Sequence, residues 1–152
     1  MSVISGYLTK RLFAIWDLNR GGVSQTDIAS KLGITRQAVN QAVQEASERV
    51  SRALTETAEI NKISAESLDP VHGILVGWSR DFSVKAVISI TKQDGMQVWY
   101  EHVADCNHCN KFDICRGYLV KYARERNRKL TKEEKKLVPS KLAQLLFLMN
   151  QA

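Results

Sequence analysis

The sequence predicts an α+β protein, with an all-helical N-terminal part followed by a small antiparallel sheet and C-terminal helices. In the first 60 of its 152 residues, apolar side chains recur at the helical period. After Pro70 come β-branched and aromatic runs separated by turn residues, and the chain ends in a leucine-rich stretch at helical spacing. We therefore expect a helical domain over residues 1–45, a long linking helix over 46–68 and a C-terminal domain over 69–152.

The first two helices are predicted from spacing and capping. A helix is expected over residues 7–18, because apolar residues recur there at the helical period. Those residues are Leu8, Leu12 and Ile15. A second helix should begin after Ser24, which forms a variant of the capping box with Asp27 three positions later.

A glycine turn and a third helix follow. Gly33 ends the second helix, and Thr35 can cap a third helix that meets no Gly or Pro until Pro70. The stretch GGVSQTDIASKLGITRQAVNQAV, residues 21–43, resembles the helix-turn-helix of sigma-factor region 4, of LuxR-like regulators and of many archaeal regulators. In such a motif the small Ala29 allows close helix approach, Gly33 supplies a left-handed backbone, and Ile34 and Val39 fill the core.

The resemblance implies double-stranded DNA as a partner, with the third helix in the major groove. Arginine can pair with guanine, and glutamine or asparagine with adenine, through two hydrogen bonds each. The residues expected at the DNA are Ser24, Gln25, Thr35, Arg36, Gln37, Asn40 and Gln41. Each polar side chain could instead be merely solvent-exposed.

Apolar and small residues continue along the third helix in alternating steps of four and three, a heptad seam. Its members are Val39, Val43, Ala46, Val50, Ala53, Thr57 and Ile60. A regular seam predicts a partner helix, so we expect a homodimer that contacts through the members from Val43 onward. The alternative is that the seam packs on the C-terminal domain of its own chain.

Three strands are predicted after Pro70, in the runs VHGILVGW, SVKAVISI and MQVWYEHV. The turn signal TKQDG separates the last two runs. The order of helix-turn-helix, long helix and small β-containing domain is similar in layout to that of archaeal Tfx-type regulators.

All three cysteines, Cys106, Cys109 and Cys115, lie within ten residues, which argues against a disulfide scaffold and favours a metal site. The C-x2-C-x5-C spacing resembles the cluster-binding segment of WhiB-type regulators and of some RecB-type iron–sulfur nucleases. Those families supply a fourth, distant cysteine, which this sequence lacks. His102 is the preferred fourth ligand. The other candidates are His108, His72, Asp105 and Asp113.

The favoured cofactor is an iron–sulfur cluster of the [4Fe-4S] type, and the alternative is zinc, which readily accepts three cysteines and one histidine. Metal-free thiols are the third possibility. A cluster with one weak or absent protein ligand would be labile and suited to sensing redox state or iron supply.

Positive charge is concentrated at the C-terminal end. Residues 1–68 carry 8 Lys and Arg against 7 Asp and Glu, residues 69–115 carry 4 against 6, and residues 116–152 carry 10 against 3. This asymmetry points either to an anionic partner such as nucleic acid or to a solvated helix face.

The sequence contains no P-loop, dinucleotide-binding fingerprint, nucleophile elbow or zinc-protease motif, so we do not expect an enzyme. No apolar stretch has the length of a membrane span, and a cytoplasmic location is expected. The predicted function is a sequence-specific DNA-binding transcriptional regulator whose Cys-rich site senses redox or metal state. The alternative is a constitutive nucleic-acid-binding or assembly factor with a structural zinc.

Overall fold

A computed structural model describes residues 6–102 and 105–148. The chain begins with the helices α1 (Lys10–Arg20), α2 (Gln25–Leu32) and α3 (Arg36–Ile60). The strands β1 (Ile63–Asp69), β2 (Ile74–Ser79), β3 (Val84–Thr91) and β4 (Gly95–Tyr100) follow. The last part holds a 3-10 turn (Cys106–His108), α4 (Phe112–Glu125), α5 (Lys132–Lys135), α6 (Pro139–Ala143) and a π-helical turn (Gln144–Leu148).

The four strands form one antiparallel sheet in the order β1-β2-β3-β4. Helices, an antiparallel sheet and C-terminal helices thus follow one another, which confirms the predicted α+β class. The three predicted strands correspond to β2, β3 and β4, whereas β1 was not foreseen. In β1 only Ile63 is buried and the other six residues are exposed, so this edge strand lacks the apolar pattern that would reveal it.

The prediction that the long helix continues to residue 68 is wrong. Helix α3 ends at Ile60, Asn61 caps it, and Lys62 has a positive φ of 55° that redirects the chain into β1. Residues 63–69 pair with β2 instead of extending the helix. The helix also crosses the expected boundary at residue 45 without interruption.

The sheet lies between two helical layers. One face carries a core built with α1 and α3, which includes Trp16, Val50, Leu54, Leu75 and Ile88. The other face carries a core built with α4 and α6, which includes Val76, Val87, Leu119, Leu142 and Phe147. The N-terminal helices and the C-terminal helices therefore share one sheet between them.

The heptad seam of α3 packs within its own chain. Val43, Ala46, Val50 and Ala53 are buried. Ala46 and Val50 belong to the core that α1 and α3 form on the sheet, and Val43 belongs to the core of the first three helices. A straight helix has 3.6 residues per turn, so the buried stripe drifts from the 3.5-residue seam toward Leu54 and Ala58. Thr57 is half-buried and Ile60 is 81% exposed. Ala46 and Val50 pack on the sheet of their own chain, as the intramolecular alternative expects, whereas Ile60 is not covered by the described residues.

One buried arginine connects both layers to the sheet. Arg20, at the end of α1, is 3% exposed, and its Nη1 donates to the Ile90 carbonyl in β3 at 2.9 Å. Its guanidinium also pairs with Asp17 and with Glu125 of α4, each at 2.7 Å. The guanidinium lies over the Trp16 ring, 4.4 Å from the ring centroid. Both carboxylates compensate the buried charge.

Across the described residues, 6–102 and 105–148, none of the helices combines the length and apolar character that spanning a bilayer requires.

Candidate nucleic-acid interface and cysteine segment

Side-chain caps and a glycine turn define the junction between α2 and α3. The Ser24 hydroxyl accepts a hydrogen bond from the Asp27 backbone N–H at 3.1 Å, and the Thr35 hydroxyl accepts one from the Ala38 N–H at 3.0 Å. Gly33 ends α2 with φ of 64°, a left-handed conformation that favours glycine. Both predicted caps and the predicted turn are confirmed.

A small core holds the first three helices together. It is formed by Ile15, Ile28, Ala29, Val39 and Val43, with Ile34 and three further partly buried residues packed against it. Ala29 is 8% exposed and Val39 is fully buried. The residues expected to fill this core therefore do so, which orients α2 and α3 relative to each other.

The polar face at the start of α3 is open to solvent. Arg36, Gln37, Asn40 and Gln41 are all exposed. Their side chains make no hydrogen bond or ion pair with the residues that the structure describes, so their donors and acceptors are available. Thr35 and Ser24 are also exposed, with their hydroxyls used as caps, and Gln25 is half-buried. This surface has the side-chain chemistry that base recognition requires.

The basic C-terminal segment belongs to the other helical layer. Its exposed cations border an open cleft of about 390 Å³ at the end of α4. They are Arg124, Arg128, Lys129 and Lys135. Because α4 packs on the sheet face opposite α3, the positive charge and the polar start of α3 lie on different layers.

The cysteines lie on two adjacent local structures. Cys106 begins the 3-10 turn, and the Cys109 backbone N–H donates to its carbonyl at 3.1 Å, which makes a tight knuckle. Cys115 lies in the first turn of α4, where its N–H donates to the Lys111 carbonyl at 2.9 Å. Helix α4 thus begins between the second and third cysteines.

The three thiols are neighbours with different surroundings. Cys106 is buried, and its thiol donates to the Ser140 hydroxyl of α6 at 3.4 Å. Cys109 is exposed and Cys115 is half-buried. Burial raises the pKa of the Cys115 thiol, and the nearby Cys109 and Cys106 raise it further. Even so, no group of three or more His, Cys, Asp or Glu side chains is arranged to hold a metal ion in residues 6–102 and 105–148.

His102 is oriented as metal-binding histidines commonly are. Its Nδ1 donates to the Tyr100 carbonyl at 2.7 Å, which leaves Nε2 as the atom with a lone pair. Its ring is 5.8 Å from that of Trp99. His102 lines a small cavity together with Ser140, the residue that also contacts Cys106.

The other two histidines are paired with carboxylates. His108 Nδ1 lies 2.6 Å from Asp105 Oδ2, with both side chains exposed. His72 Nδ1 lies 2.8 Å from Asp69 Oδ2 in the β1–β2 turn. That turn precedes Ile74, which pairs with Ser89 near the end of β3. His102 follows Tyr100, which pairs with Ala86 near the start of β3. His72 is therefore at the opposite end of the sheet from the cysteines. Asp113 is exposed in the first turn of α4.

Sequence reasoning missed the buried Arg20 and the half-buried Arg126. Nothing in their local sequence distinguishes them from other members of charged or amphipathic helices, because their burial depends on the sheet that they meet.

The chain matches no known family model, and it is not significantly similar to any protein of curated function or to any solved structure.

Proposed function

We propose that this protein is a sequence-specific DNA-binding transcriptional regulator with a metal site or iron–sulfur cluster in its cysteine segment. One observation carries the DNA-binding part. Two capped helices joined by a left-handed glycine turn share a core with α1 and expose the polar side chains at the start of α3. This is the arrangement by which a second helix is offered to the major groove.

The exposed side chains supply the donors and acceptors for reading bases. Arg36 can donate two hydrogen bonds to guanine, and Gln37, Asn40 or Gln41 can pair with the edge of adenine. The exposed hydroxyls and backbone N–H groups around Ser24, Gln25 and Thr35 suit phosphate contacts. The guanidinium and amide groups need not break internal bonds to described residues before they bind.

The proposal includes a homodimer, since helix-turn-helix proteins commonly read paired half-sites. The dimer surface would have to lie outside the α3 seam, because the seam from Val43 to Ala53 is buried within the chain. Two half-sites in the selected DNA and a mass twice 17.2 kDa by light scattering would support a dimer. A monomer on a single half-site would contradict it.

The donor chemistry of the cysteine segment fits a metal. Three neighbouring thiols and the Nε2 atom of His102 form a set that zinc accepts, and three thiolates also suit an iron–sulfur cluster. Ligation would have to draw the Cys106 thiol away from Ser140, because the donors do not surround one point as they stand. When bound, the metal or cluster would supply a reversible link between the 3-10 turn and α4.

Loss of that link would change how the 3-10 turn packs on α6. Cys106 contacts Ser140 of α6, and Cys115 is part of α4, so both helices of the C-terminal layer touch the site. The proposed regulation is that metal or redox state alters the packing of this layer on the sheet, whose other face supports α3.

Selection from random duplex DNA, followed by titration of the selected sequence, tests DNA binding. Arg36→Ala is expected to weaken binding by about 1–3 kcal/mol and to relax preference at one base pair. The matched control is Arg52→Ala, an exposed arginine of α3 about 24 Å further along the helix axis, which should leave affinity and preference unchanged.

The opposite pattern would contradict the proposal. If no sequence is enriched, and if binding falls with salt equally for all duplexes, the alternative of a constitutive nucleic-acid-binding factor with structural zinc is favoured. Equal effects of Arg36→Ala and Arg52→Ala on binding would also show that the start of α3 does not recognise the bases.

The cofactor is tested on protein purified without oxygen, by its absorbance spectrum and by iron, sulfide and zinc analysis. A broad absorbance band near about 400 nm with matching amounts of iron and sulfide identifies a cluster. A colourless protein with one zinc per chain identifies a structural zinc site. Cys115→Ser and His102→Gln should lower metal content, whereas His108→Gln should not. Protein that contains neither iron nor zinc after purification without oxygen would contradict the metal proposal. The DNA-binding test would not be affected.

A further inference from the structure

A cleft of about 360 Å³ opens between β1 and β2, the end of α4 and the π-helical turn Gln144–Leu148. Its walls are apolar at Ile74, Val76 and Phe147 and polar at Tyr122 and Arg126. This volume lies within the range of clefts that bind small molecules. The cleft is separate from the cysteine segment, since it begins at the β1–β2 turn.

Arg126 is a half-buried arginine whose hydrogen-bonding groups are only partly satisfied by the described residues. Its Nη2 donates to the carbonyls of His72, Gly73 and Ile90 at 2.8, 3.3 and 3.0 Å. Its Nε and Nη1 are buried and have no hydrogen-bond partner among the described residues. Burial is the main factor that lowers the pKa of this guanidinium. A buried donor without a partner is costly, so it indicates a missing acceptor.

Tyr122 adds a second unpartnered group in the same place. The residue is 2% exposed, and its hydroxyl has no hydrogen-bond partner among the described residues. The Arg126 guanidinium lies over its ring, 4.0 Å from the centroid. Two neighbouring side chains that both line the cleft thus present unused donors.

The carboxylates around the cleft are engaged elsewhere. Asp69 accepts hydrogen bonds from the backbone and ring of His72. Glu134 pairs with Arg128 at the rim, at 3.0 Å. In residues 6–102 and 105–148, no carboxylate forms an ion pair with Arg126. An acceptor for these donors would therefore have to come from outside the described part of the chain.

We propose that this cleft binds a small organic carboxylate, with its carboxylate at Arg126 and Tyr122 and its apolar body against Ile74, Val76 and Phe147. The donors require an acceptor. The guanidinium, which has no carboxylate partner among the described residues, favours an anion, and the apolar walls favour a hydrocarbon or aromatic body. The site does not depend on the proposed DNA binding or on the metal.

Ligand binding in the cleft should change the conformation of the β1–β2 turn. The unpartnered atoms have almost no solvent-accessible surface, so the carboxylate can reach them only if neighbouring side chains shift. Arg126 holds the carbonyls of His72 and Gly73 from one side. From the other side, Trp16 of α1 donates its indole Nε1–H to the Pro70 carbonyl at 2.9 Å. The turn thus connects the cleft to the first helix.

The test is calorimetric titration of the full chain with sodium benzoate, with benzamide as the neutral isostere and sodium chloride as the ionic-strength control. Benzoate should bind saturably in the millimolar range, at least about tenfold tighter than benzamide, because a hydrogen bond to a charged group is stronger than one to a neutral group. In a ¹H–¹⁵N spectrum, the indole signal of Trp16 should shift with benzoate in proportion to saturation.

Variants separate the proposed site from any other. Tyr122→Phe removes only the hydroxyl and should weaken benzoate binding about tenfold while the fold is kept. Arg126→Gln should abolish binding, and Arg124→Gln, an exposed arginine of the same helix, should leave it unchanged. Absence of saturable benzoate binding would overturn the proposal. So would equal binding of benzamide, or benzoate binding that Tyr122→Phe leaves unchanged.

Discussion

Two arginines, the buried Arg20 and the half-buried Arg126, donate to the same carbonyl from opposite layers of the protein. Both donate to the Ile90 carbonyl, at 2.9 and 3.0 Å, and both lie over an aromatic ring. Arg20 has two carboxylate partners, Asp17 and Glu125. Arg126 has no carboxylate partner among the described residues and retains unpartnered donors.

The difference shows that burial of an arginine does not by itself define its role. Arg20 has carbonyl and carboxylate partners within the fold, so it links α1 to β3 and α4. Arg126 makes its three carbonyl bonds through one nitrogen, and its other two nitrogens have no partner among the described residues. A satisfied buried charge is structural, whereas an unsatisfied one beside a cleft suggests a ligand.

The largest effect is expected for Arg20→Met. Removal of the guanidinium leaves the Asp17 and Glu125 carboxylates without their cation, and breaking a buried pair typically costs about 3–5 kcal/mol. Urea unfolding at neutral pH measures the change in the free energy of unfolding. Arg11→Met, at an exposed arginine of the same helix, is the control and should change it by less than about 0.5 kcal/mol. A loss no larger than the control's would show that Arg20 contributes little to folding.

The next largest loss of stability is expected from a change at Gly73 in the β1–β2 turn. Gly73 has φ of 71°, and an added Cβ would lie 2.9 Å from two carbons of the Trp16 ring. Gly73→Ala should therefore destabilise the protein by about 2–4 kcal/mol, from backbone strain and from overpacking. Gly22→Ala is the matched control, because Gly22 has φ of 90° but no atom within 4 Å of its added Cβ. If both variants lose the same stability, the Trp16 contact does not constrain the turn.

Arg126→Met should cost much less than Arg20→Met. The variant leaves three carbonyls without one of their donors. It also removes a half-buried charge that lacks a carboxylate partner among the described residues. We expect a loss of about 1 kcal/mol in the absence of ligand, because the two contributions oppose each other. Urea unfolding of both variants in the same buffer makes the comparison. A loss equal to that of Arg20→Met would mean that the two arginines are equivalent.

A last effect, of about the same size as that of Arg126→Met, is a pH dependence on the Arg126 side of the sheet. Burial raises the pKa of Tyr118 to about 12, although its hydrogen bond with Ser89 opposes the shift. The unfolded tyrosine loses its proton from about pH 10, while the folded one keeps it, so stability falls as pH rises from about 10 to 12. At pH 11 this tyrosine should account for about 1 kcal/mol of the loss.

Tyr118→Phe isolates that contribution. The drop in the free energy of unfolding between pH 9 and pH 11 should be smaller by about 1 kcal/mol in the variant than in the parent chain. Comparing differences between two pH values cancels the constant cost of losing the Ser89 hydrogen bond. An unchanged drop would show that Tyr118 ionises in the folded protein as readily as in the unfolded chain.

Local signals explain why the N-terminal helices could be predicted well. A cap and a glycine turn act within four or five residues, so Ser24, Gly33 and Thr35 are recognisable without knowledge of the fold. The strands β2 to β4 were likewise visible as apolar runs. Strand β1 was not, because an exposed edge strand depends on its neighbour for pairing and not on its own pattern.

By itself, the sequence determined the α+β class, the caps and turn between α2 and α3, and the closeness of the three cysteines along the chain. Each depends on short-range chemistry between residues near in sequence. The tertiary structure alone decided that most of the α3 seam packs within its own chain and that His72 lies at the far end of the sheet from His102. It also decided that Arg20 meets two carboxylates while Arg126 meets none among the described residues. Those outcomes depend on which distant surfaces meet, because burial and the supply of partners are properties of the packed layers.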